Sequence, residues 1–328
     1  MKALVCTAFG RLENLTIVDV PSPRPRAGQV LVDVKASSIN FPDALMVKGL
    51  YQVKPPLPFS PGAELSGVVT ELGAEVRGFA IGDRVAGVCG WGGFAEECVA
   101  AADQLIALPA DMDFDVGAAF GLTYFTSLHA LQDCAHLKSG ETLLVLGAAG
   151  GVGIAAIQIA KIMGARVIAA ASSDDKLQAC KTAGADETIN YATENMRERL
   201  TELSAGKGID VVFDPVGGSY SEIALRATSW GGRFLVIGFA AGEIPKIPLN
   251  LALLKERSII GVYWGDWMRH DPVGHSQNVE LVVSWIRSGR IKPMLSEHVS
   301  LAETPAALAR LTERKVTGKI VVLPEMSL

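Results

Sequence analysis

The sequence predicts an α/β chain in which a small irregular β-barrel precedes a six-stranded, doubly wound parallel sheet. Three observations predict it. The first third breaks into short apolar strands punctuated by proline and glycine. From near Asp115, apolar strands alternate with helical stretches, the pattern of a parallel sheet covered on both faces. Between the first strand and first helix of that alternation lies "LGAAGGVG", with Gly147, Gly150, Gly151 and Gly153. The length of 328 residues, 49% hydrophobic and 20% charged, suits two cores.

Residues 1–121 form the expected barrel domain. Its strand candidates are "KALVC", "LTIVDV", "QVLVDVKA", "ELSGVVTEL", "DRVAGV" and "FAEECVA", separated by turn clusters such as "PSPRPRAGQ" and "VKPPLPFSPGAE". Residues 122–264 form the sheet domain. "DVGAAFGLTYFTSLHALQ" leads into it with helical periodicity. Strands are expected at Thr142–Gly147, Arg166–Ala171, Glu187–Asn190, Asp210–Asp214, Arg233–Gly238 and Ser258–Val262. "GVGIAAIQIAKIMG", "DDKLQACKTAG" and "SYSEIALRATSWG" are the helical stretches between them. Residues 265–328 return to mixed character and end in "TGKIVVLP", a strand that completes the first domain.

Leu143 to Ala160 is an uncharged run with the one polar side chain Gln158. Length alone would nominate a membrane span, but four glycines cut it into strand, turn and helix. A net charge of −5 without a basic run argues against nucleic acid and anionic membranes as partners. "MKALVCTAFG" lacks an apolar signal core, and five scattered cysteines fit reduced thiols, so a cytoplasmic location is expected.

The glycine turn has the chemistry of a phosphate cradle. Such a turn needs a tight bend, close backbone approach to a pyrophosphate, and close packing of helix on strand. The amides and dipole of the helix start then hold the anion. The best register is Ala148-Ala149-Gly150-Gly151-Val152-Gly153, with Gly150 facing the pyrophosphate and Gly153 facing the strand. Ala149, Gly151 and Val152 complete the contact. The end of the second strand reads the cofactor. Ala171-Ser172-Ser173 carries no acidic side chain to hold ribose hydroxyls; Ser172 and Ser173 could donate to a 2′-phosphate and Lys176 could neutralise it. This predicts NADP(H), although Asp174 and Asp175 stand near and Ser172 and Asp174 also suit helix capping.

The barrel motifs "GQVLVDVKASSINFPDAL" and "PGAELSGVV", then "GLTYFTSLHAL", "AAGGVG" and the "TGKIVVLP" tail, occur in this order along essentially the whole chain. In this the chain resembles the medium-chain dehydrogenase/reductase superfamily, in its zinc-free quinone oxidoreductase branch. The resemblance implies a GroES-like barrel domain, a Rossmann domain, a site in the cleft between them, and a homodimer. Zinc members carry a cysteine and a Gly-His-Glu motif where this chain has Asn40 and Gly62-Ala63-Glu64. Neither Asn40 nor Ala63 is a zinc ligand, so no metal is expected.

By the same resemblance Asn40 and Tyr51 are the candidate catalytic residues, Asn40 also meeting the cofactor. Leu45 departs from the tyrosine found there in some quinone reductases. Thr123 is implied beside the nicotinamide, Tyr191 near the 2′-phosphate, and Lys319 as a reach to the cofactor from the tail. Val216, Gly217, Gly238, Phe239 and Ala240 line strand ends. Tyr263, Trp264 and Trp267 could wall a flat apolar pocket, or pack. The activity implied is NADPH-dependent hydride transfer to a quinone or an α,β-unsaturated carbonyl. An enoyl-thioester reductase and a non-catalytic NADPH-binding protein are the alternatives.

Overall fold

The computed structural model describes residues 1–326. They form two compact units, Met1–Leu122 together with the chain from Pro293 onward, and Thr123–Lys292.

The first unit opens with β1 (Lys2–Cys6) paired antiparallel to β2 (Leu15–Asp19). β3 (Gln29–Ser38) is the hub of a larger sheet. Its Val30, Val32 and Val34 fall on one face by the two-residue period of a strand. They meet Leu65, Val69, Val85 and Cys98 in a buried cluster. α1 (Phe41–Val47) follows, a short helix absent from the sequence reading. Pro42 stands in its first turn, where a missing N–H breaks no helical bond. β4 (Glu64–Leu72), β5 (Arg84–Val88), β6 (Glu97–Ala101) and β7 (Leu105–Ala107) complete this run. β4 and β6 both pair antiparallel with β3. α2 (Phe114–Leu128) then carries the chain into the second unit.

The second unit alternates as predicted: β8 (Thr142–Leu146), α3 (Gly151–Ile162), β9 (Arg166–Ala171), α4 (Asp174–Thr182) and β10 (Glu187–Asn190). α5 (Met196–Leu203), β11 (Ile209–Asp214), α6 (Ser219–Arg226) and β12 (Thr228–Val236) follow. The order closes with α7 (Asn250–Leu253), β13 (Ser258–Gly261), α8 (Trp264–His270) and α9 (Pro272–Arg287). The strands lie parallel in the order β10-β9-β8-β11-β12-β13. Strand order reverses between β8 and β11, the point where open α/β sheets bind ligands. Leu143 to Leu146 and Val211 to Phe213 are almost fully buried, as strands covered on both faces must be.

Three further details differ from the sequence reading. The helix in "SYSEIALRATSWG" stops at Arg226, and Thr228 already belongs to β12, its hydroxyl accepting from Arg257 Nε at 2.6 Å. α5 was not anticipated; the Asn195 side chain caps it by accepting from the Arg197 and Glu198 N–H groups. Finally, the second unit extends to Lys292 rather than 264, taking in α8 and α9. Gln158 of α3 holds Lys292 by two backbone bonds of 3.0 Å, and Gln132 binds Asn278 of α9 at 3.0 Å.

Beyond Pro293 the chain rejoins the first unit as β14 (Leu295–Val299), α10 (Thr304–Thr312) and β15 (Lys319–Val322). β15, from the "TGKIVVLP" tail, pairs parallel with β14 and antiparallel with β3. No helix of the described residues is long and apolar enough to cross a membrane. The uncharged run from Leu143 is β8, a turn and α3.

Candidate active site

In the second unit the glycine turn joins β8 to α3. Gly147 adopts φ +56°, a left-handed conformation that favours glycine. Gly150 N–H donates back to Gly147 O at 3.0 Å, closing the turn, and α3 starts at the next residue. The two later glycines are not equivalent. A methyl on Gly153 would lie 2.5 Å from Ala148 O, so this glycine is where helix packs on turn. A methyl on Gly150 would meet nothing closer than Gly147 O at 3.4 Å. Gly150, Gly151 and Val152 are only half-buried, whereas Ala148, Ala149 and Gly153 are buried. The open side of the turn thus belongs to Gly150–Val152, beside the N-terminus of α3, where backbone amides and the helix dipole favour an anion. The cradle fits a pyrophosphate.

Beside it, at the end of β9, Ser172 Oγ accepts from Lys176 Nζ at 3.2 Å. Ser173 stands at the N-cap of α4, yet its side chain makes no capping bond. Asp174 turns to Asn190, whose Nδ2 donates to it at 2.8 Å. Tyr191 N–H bonds Ala171 O at 3.1 Å, which sets this residue beside Ser172, and its ring packs on Tyr220 at 4.6 Å. Ser172, Ser173, Lys176 and Tyr191 therefore gather at the end of β9.

On the other side of the strand-order reversal, Asp214 organises two loops. It is buried at the end of β11. Its Oδ1 accepts from the N–H groups of Val216 and Gly217 at 2.8 and 2.9 Å, and its Oδ2 from Ser221 Oγ at 2.6 Å. Ala240 N–H bonds Pro215 O at 3.0 Å, so Val216 and the Gly238-Phe239-Ala240 loop lie together. Sequence reading named these loops but missed Asp214, although its place before "PVGG" was the available signal.

Thr123 is buried. Tyr263 is 53% exposed, but Trp264 is buried against Phe125 and His275. Trp267 stacks on His129 at 4.0 Å. Of the three aromatics expected to wall a pocket, the two tryptophans pack within the unit.

The first unit holds the other candidates. Asn40 precedes α1, and the Asp43 carboxylate reaches back to its N–H at 2.7 Å. That leaves the Asn40 carboxamide to point elsewhere. Its Nδ2 donates to Ser38 Oγ and Glu64 Oε2, each at 3.2 Å, and its Oδ1 accepts from Lys319 Nζ. Glu64 is fully buried; Ser38 Oγ donates to its Oε2 at 2.7 Å and Leu122 N–H to its Oε1 at 2.9 Å. Lys319 Nζ stands 3.3 Å from Glu64 Oε2. Hence the tail lysine, expected to reach a cofactor, is a buried partner of Asn40 and Glu64. Tyr51 is half-buried against the cluster that contains Leu4, Phe59 and Ala63. Ala63 contributes its N–H to Asp43 Oδ1 at 2.9 Å. Among the described residues no group of three or more His, Cys, Asp or Glu side chains is arranged to hold a metal ion.

Comparison with known proteins adds a second line of evidence. The family described as "Alcohol dehydrogenase GroES-like domain" matches residues 26–110, and that described as "Zinc-binding dehydrogenase" matches residues 151–282. The chain is 39% identical over 325 residues to quinone oxidoreductase-like protein 2 homolog of Nematostella vectensis, covering 98% of this chain and 88% of that protein. It is 34% identical to quinone oxidoreductase of Mus musculus, covering 98% of each. Among solved structures, Escherichia coli quinone oxidoreductase complexed with NADPH superposes with a TM-score of 0.92 at 29% identity, covering 99% of this chain and 100% of that one.

Proposed function

The chain belongs to the quinone oxidoreductase branch of the medium-chain dehydrogenase/reductase superfamily, and from that premise we propose that it is an NADPH-dependent reductase of quinones or α,β-unsaturated carbonyls that works without a metal. One observation carries the reading. Where zinc relatives place ligands, this chain has Asn40 and Ala63, and the Lys319 ammonium already sits against Asn40 and the buried Glu64. A dication beside that ammonium would be repelled in a buried, low-dielectric setting.

NADPH when bound supplies the hydride. The residues of this chain do the rest. Gly150, Gly151 and Val152 at the start of α3 bind the pyrophosphate. Ser172, Ser173 and Lys176 bind the 2′-phosphate, and Tyr191 flanks it. Ala149, Thr123, Val216, Gly238, Phe239, Ala240 and Tyr263 border the remainder, while Trp264 is buried against Phe125 and His275. Asn40, locked by Lys319 and Glu64, orients the cofactor or the acceptor's oxygen. Tyr51 donates a hydrogen bond or proton to the oxygen that gains charge. A quinone or conjugated carbonyl is electrophilic enough to accept hydride with this help alone, so the protein's contribution is placement and mild polarisation.

A homodimer in the cytoplasm fits the surface and the thiols. β13 is the edge strand of the second unit's sheet, and Trp230, Leu253 and Ile259 around it are exposed by 70%, 79% and 40%. All five cysteines are free. The test of the whole reading is NADPH oxidation with benzoquinones, naphthoquinones, enals, enones and enoyl-CoA, with and without a chelator. Turnover of quinones or enones, unchanged by chelation, is expected. Activity confined to enoyl thioesters, or lost on chelation and restored by zinc, would overturn it.

A further inference from the structure

α2 does not end as an α-helix. Over His129–Cys134 it widens into a π-helical turn, in which Ala135 N–H bonds Ala130 O, five residues back, at 2.9 Å. The widening decides what His129 can touch. In an α-helix the fifth residue on lies about 140° round the cylinder, out of reach. A π turn, bonded from i to i+5, brings the fourth and fifth residues on beneath the first. Asp133 and Cys134 accordingly flank the imidazole. Asp133 Oδ2 lies 3.0 Å from His129 Nδ1, and Cys134 Sγ lies 3.4 Å from His129 Nε2. Thiol, imidazole and carboxylate in hydrogen-bonded line form the arrangement that activates sulfur as a nucleophile.

The line is braced from two further helices. Asn278 of α9 donates to Asp133 Oδ2 at 2.9 Å, and Gln132 donates to Asp133 Oδ1 at 3.3 Å. Trp267 of α8 lies nearly parallel over the imidazole, at 23°, and an aromatic face favours a cation. Asp133 and Cys134 are the titratable groups bonded to His129; Trp267 and Asn278 are uncharged, and His275 packs against Phe125, Trp264 and, perpendicular to it at 6.5 Å, Trp267. Burial opposes a charge on His129, but the bonds to Asp133 and Cys134 outweigh it and lift its pKa to about 9. His129 is buried, while Cys134 keeps part of its surface open.

We propose that Cys134 is a site of covalent modification, whose sulfur, its proton drawn to the His129 imidazole that Asp133 holds from the other nitrogen, adds to α,β-unsaturated carbonyl compounds. The sulfur lone pair forms the C–S bond at the β-carbon. The C=C π pair moves to the carbonyl oxygen as an enolate, and the His129 imidazolium proton neutralises it, leaving a thioether and a neutral imidazole. No oxidant takes part. The inference rests on the second unit alone and is independent of where the hydride goes. Cys6, Cys98 and Cys180 are buried, and burial pushes Cys180 up to about 12; Cys89 is half-buried like Cys134, but its contact with Cys98 and its burial hold its thiol well above the usual range, so the four other thiols are built-in controls.

The experiment is labelling of the native protein with limiting N-ethylmaleimide at pH 6, 7 and 8.5, read by peptide mass mapping of all five cysteines, beside the same chain unfolded in urea. At pH 7 Cys134 is expected to react at least tenfold faster than any other cysteine. At pH 6 it should react at least tenfold faster folded than unfolded, because an ordinary thiol has lost about two orders of magnitude of its thiolate between pH 8.5 and 6. His129→Asn should abolish the advantage at pH 6. A Cys134 that reacts no faster folded than unfolded at pH 6 overturns the proposal, and this wild-type comparison decides even if the variant does not fold.

Discussion

Lys319 Nζ, on the last strand, donates to Asn40 Oδ1 at the start of the first helix, 279 positions earlier in the chain. The same ammonium pairs with Glu64, and the two side chains are 5% and 0% exposed. One buried cation thus orients a candidate catalytic amide and balances a buried carboxylate.

Removing that cation should therefore expose the cost of the charge left behind. Lys319→Met is expected to lower stability by about 3–5 kcal/mol, since a buried pair broken on one side leaves an uncompensated charge. Adding Glu64→Gln to it should recover at least half of the loss. Urea unfolding of the single and double variants measures both. Equal stabilities for the two would show that packing, not charge, dominates at this position.

The turn glycines should separate into a structural and a ligand-facing one. Gly153→Ala places a methyl 2.5 Å from Ala148 O and should cost about 1–3 kcal/mol of stability, with loss of cofactor binding. Gly150→Ala has room, with 3.4 Å to the nearest atom and φ −75°. It should leave thermal unfolding unchanged while weakening NADPH binding at least tenfold. Unaltered NADPH affinity in Gly150→Ala would remove this residue from the pyrophosphate site.

What the sequence disclosed and what it hid follow a physical division. The six strands around Leu143–Leu146 and Val211–Phe213 were legible because burial on both faces leaves continuous apolar runs. The Gly147–Gly153 turn was legible because nothing else tolerates such glycine density. α1 was hidden behind Pro42, a residue that breaks helices everywhere except at their start. Glu64 appeared only as the end of a mismatched zinc motif, because its partners Ser38, Leu122 and Lys319 come from three distant segments. Asp214 and the His129–Asp133–Cys134 line were hidden for a related reason. Their meaning lies in side-chain direction, and for the latter in a π turn that no hydrophobic period announces.

Lys176 should govern the choice between the two nicotinamide cofactors. Its ammonium lies 3.2 Å from Ser172 Oγ, and Asp174 is drawn away by Asn190. Loss of a hydrogen bond to a charged group costs about 1.5–3 kcal/mol, so Lys176→Ala should raise the Kd for NADPH roughly ten- to a hundredfold. The Kd for NADH should change less than about threefold. Titration of reduced-nicotinamide fluorescence distinguishes them, and equal effects on both cofactors would refute a 2′-phosphate contact.

Asp43 should make the first unit lose stability as pH rises. It is fully buried, and burial lifts its pKa to about 7, against the pull of the Asn40 and Ala63 N–H groups and of Lys319. In the unfolded chain it ionises near 3.8. Between those values the folded state holds a proton that the unfolded state has released. The stabilising contribution is therefore complete below about pH 4 and is lost as pH climbs through 7. Asp43→Asn cannot titrate. The stability of wild type minus that of Asp43→Asn should accordingly fall between pH 4.5 and 7.5, by at most about 1.4 kcal/mol per unit. The offset between the two proteins is a separate matter. An asparagine offers one acceptor oxygen where the carboxyl serves two N–H groups, so the variant starts about 1–3 kcal/mol lower at every pH. Only the slope reports the titration. Urea unfolding at pH 4.5, 5.5, 6.5 and 7.5 measures it, and a difference that grows with pH would mean that the two N–H groups and Lys319 outweigh burial and hold Asp43 ionised.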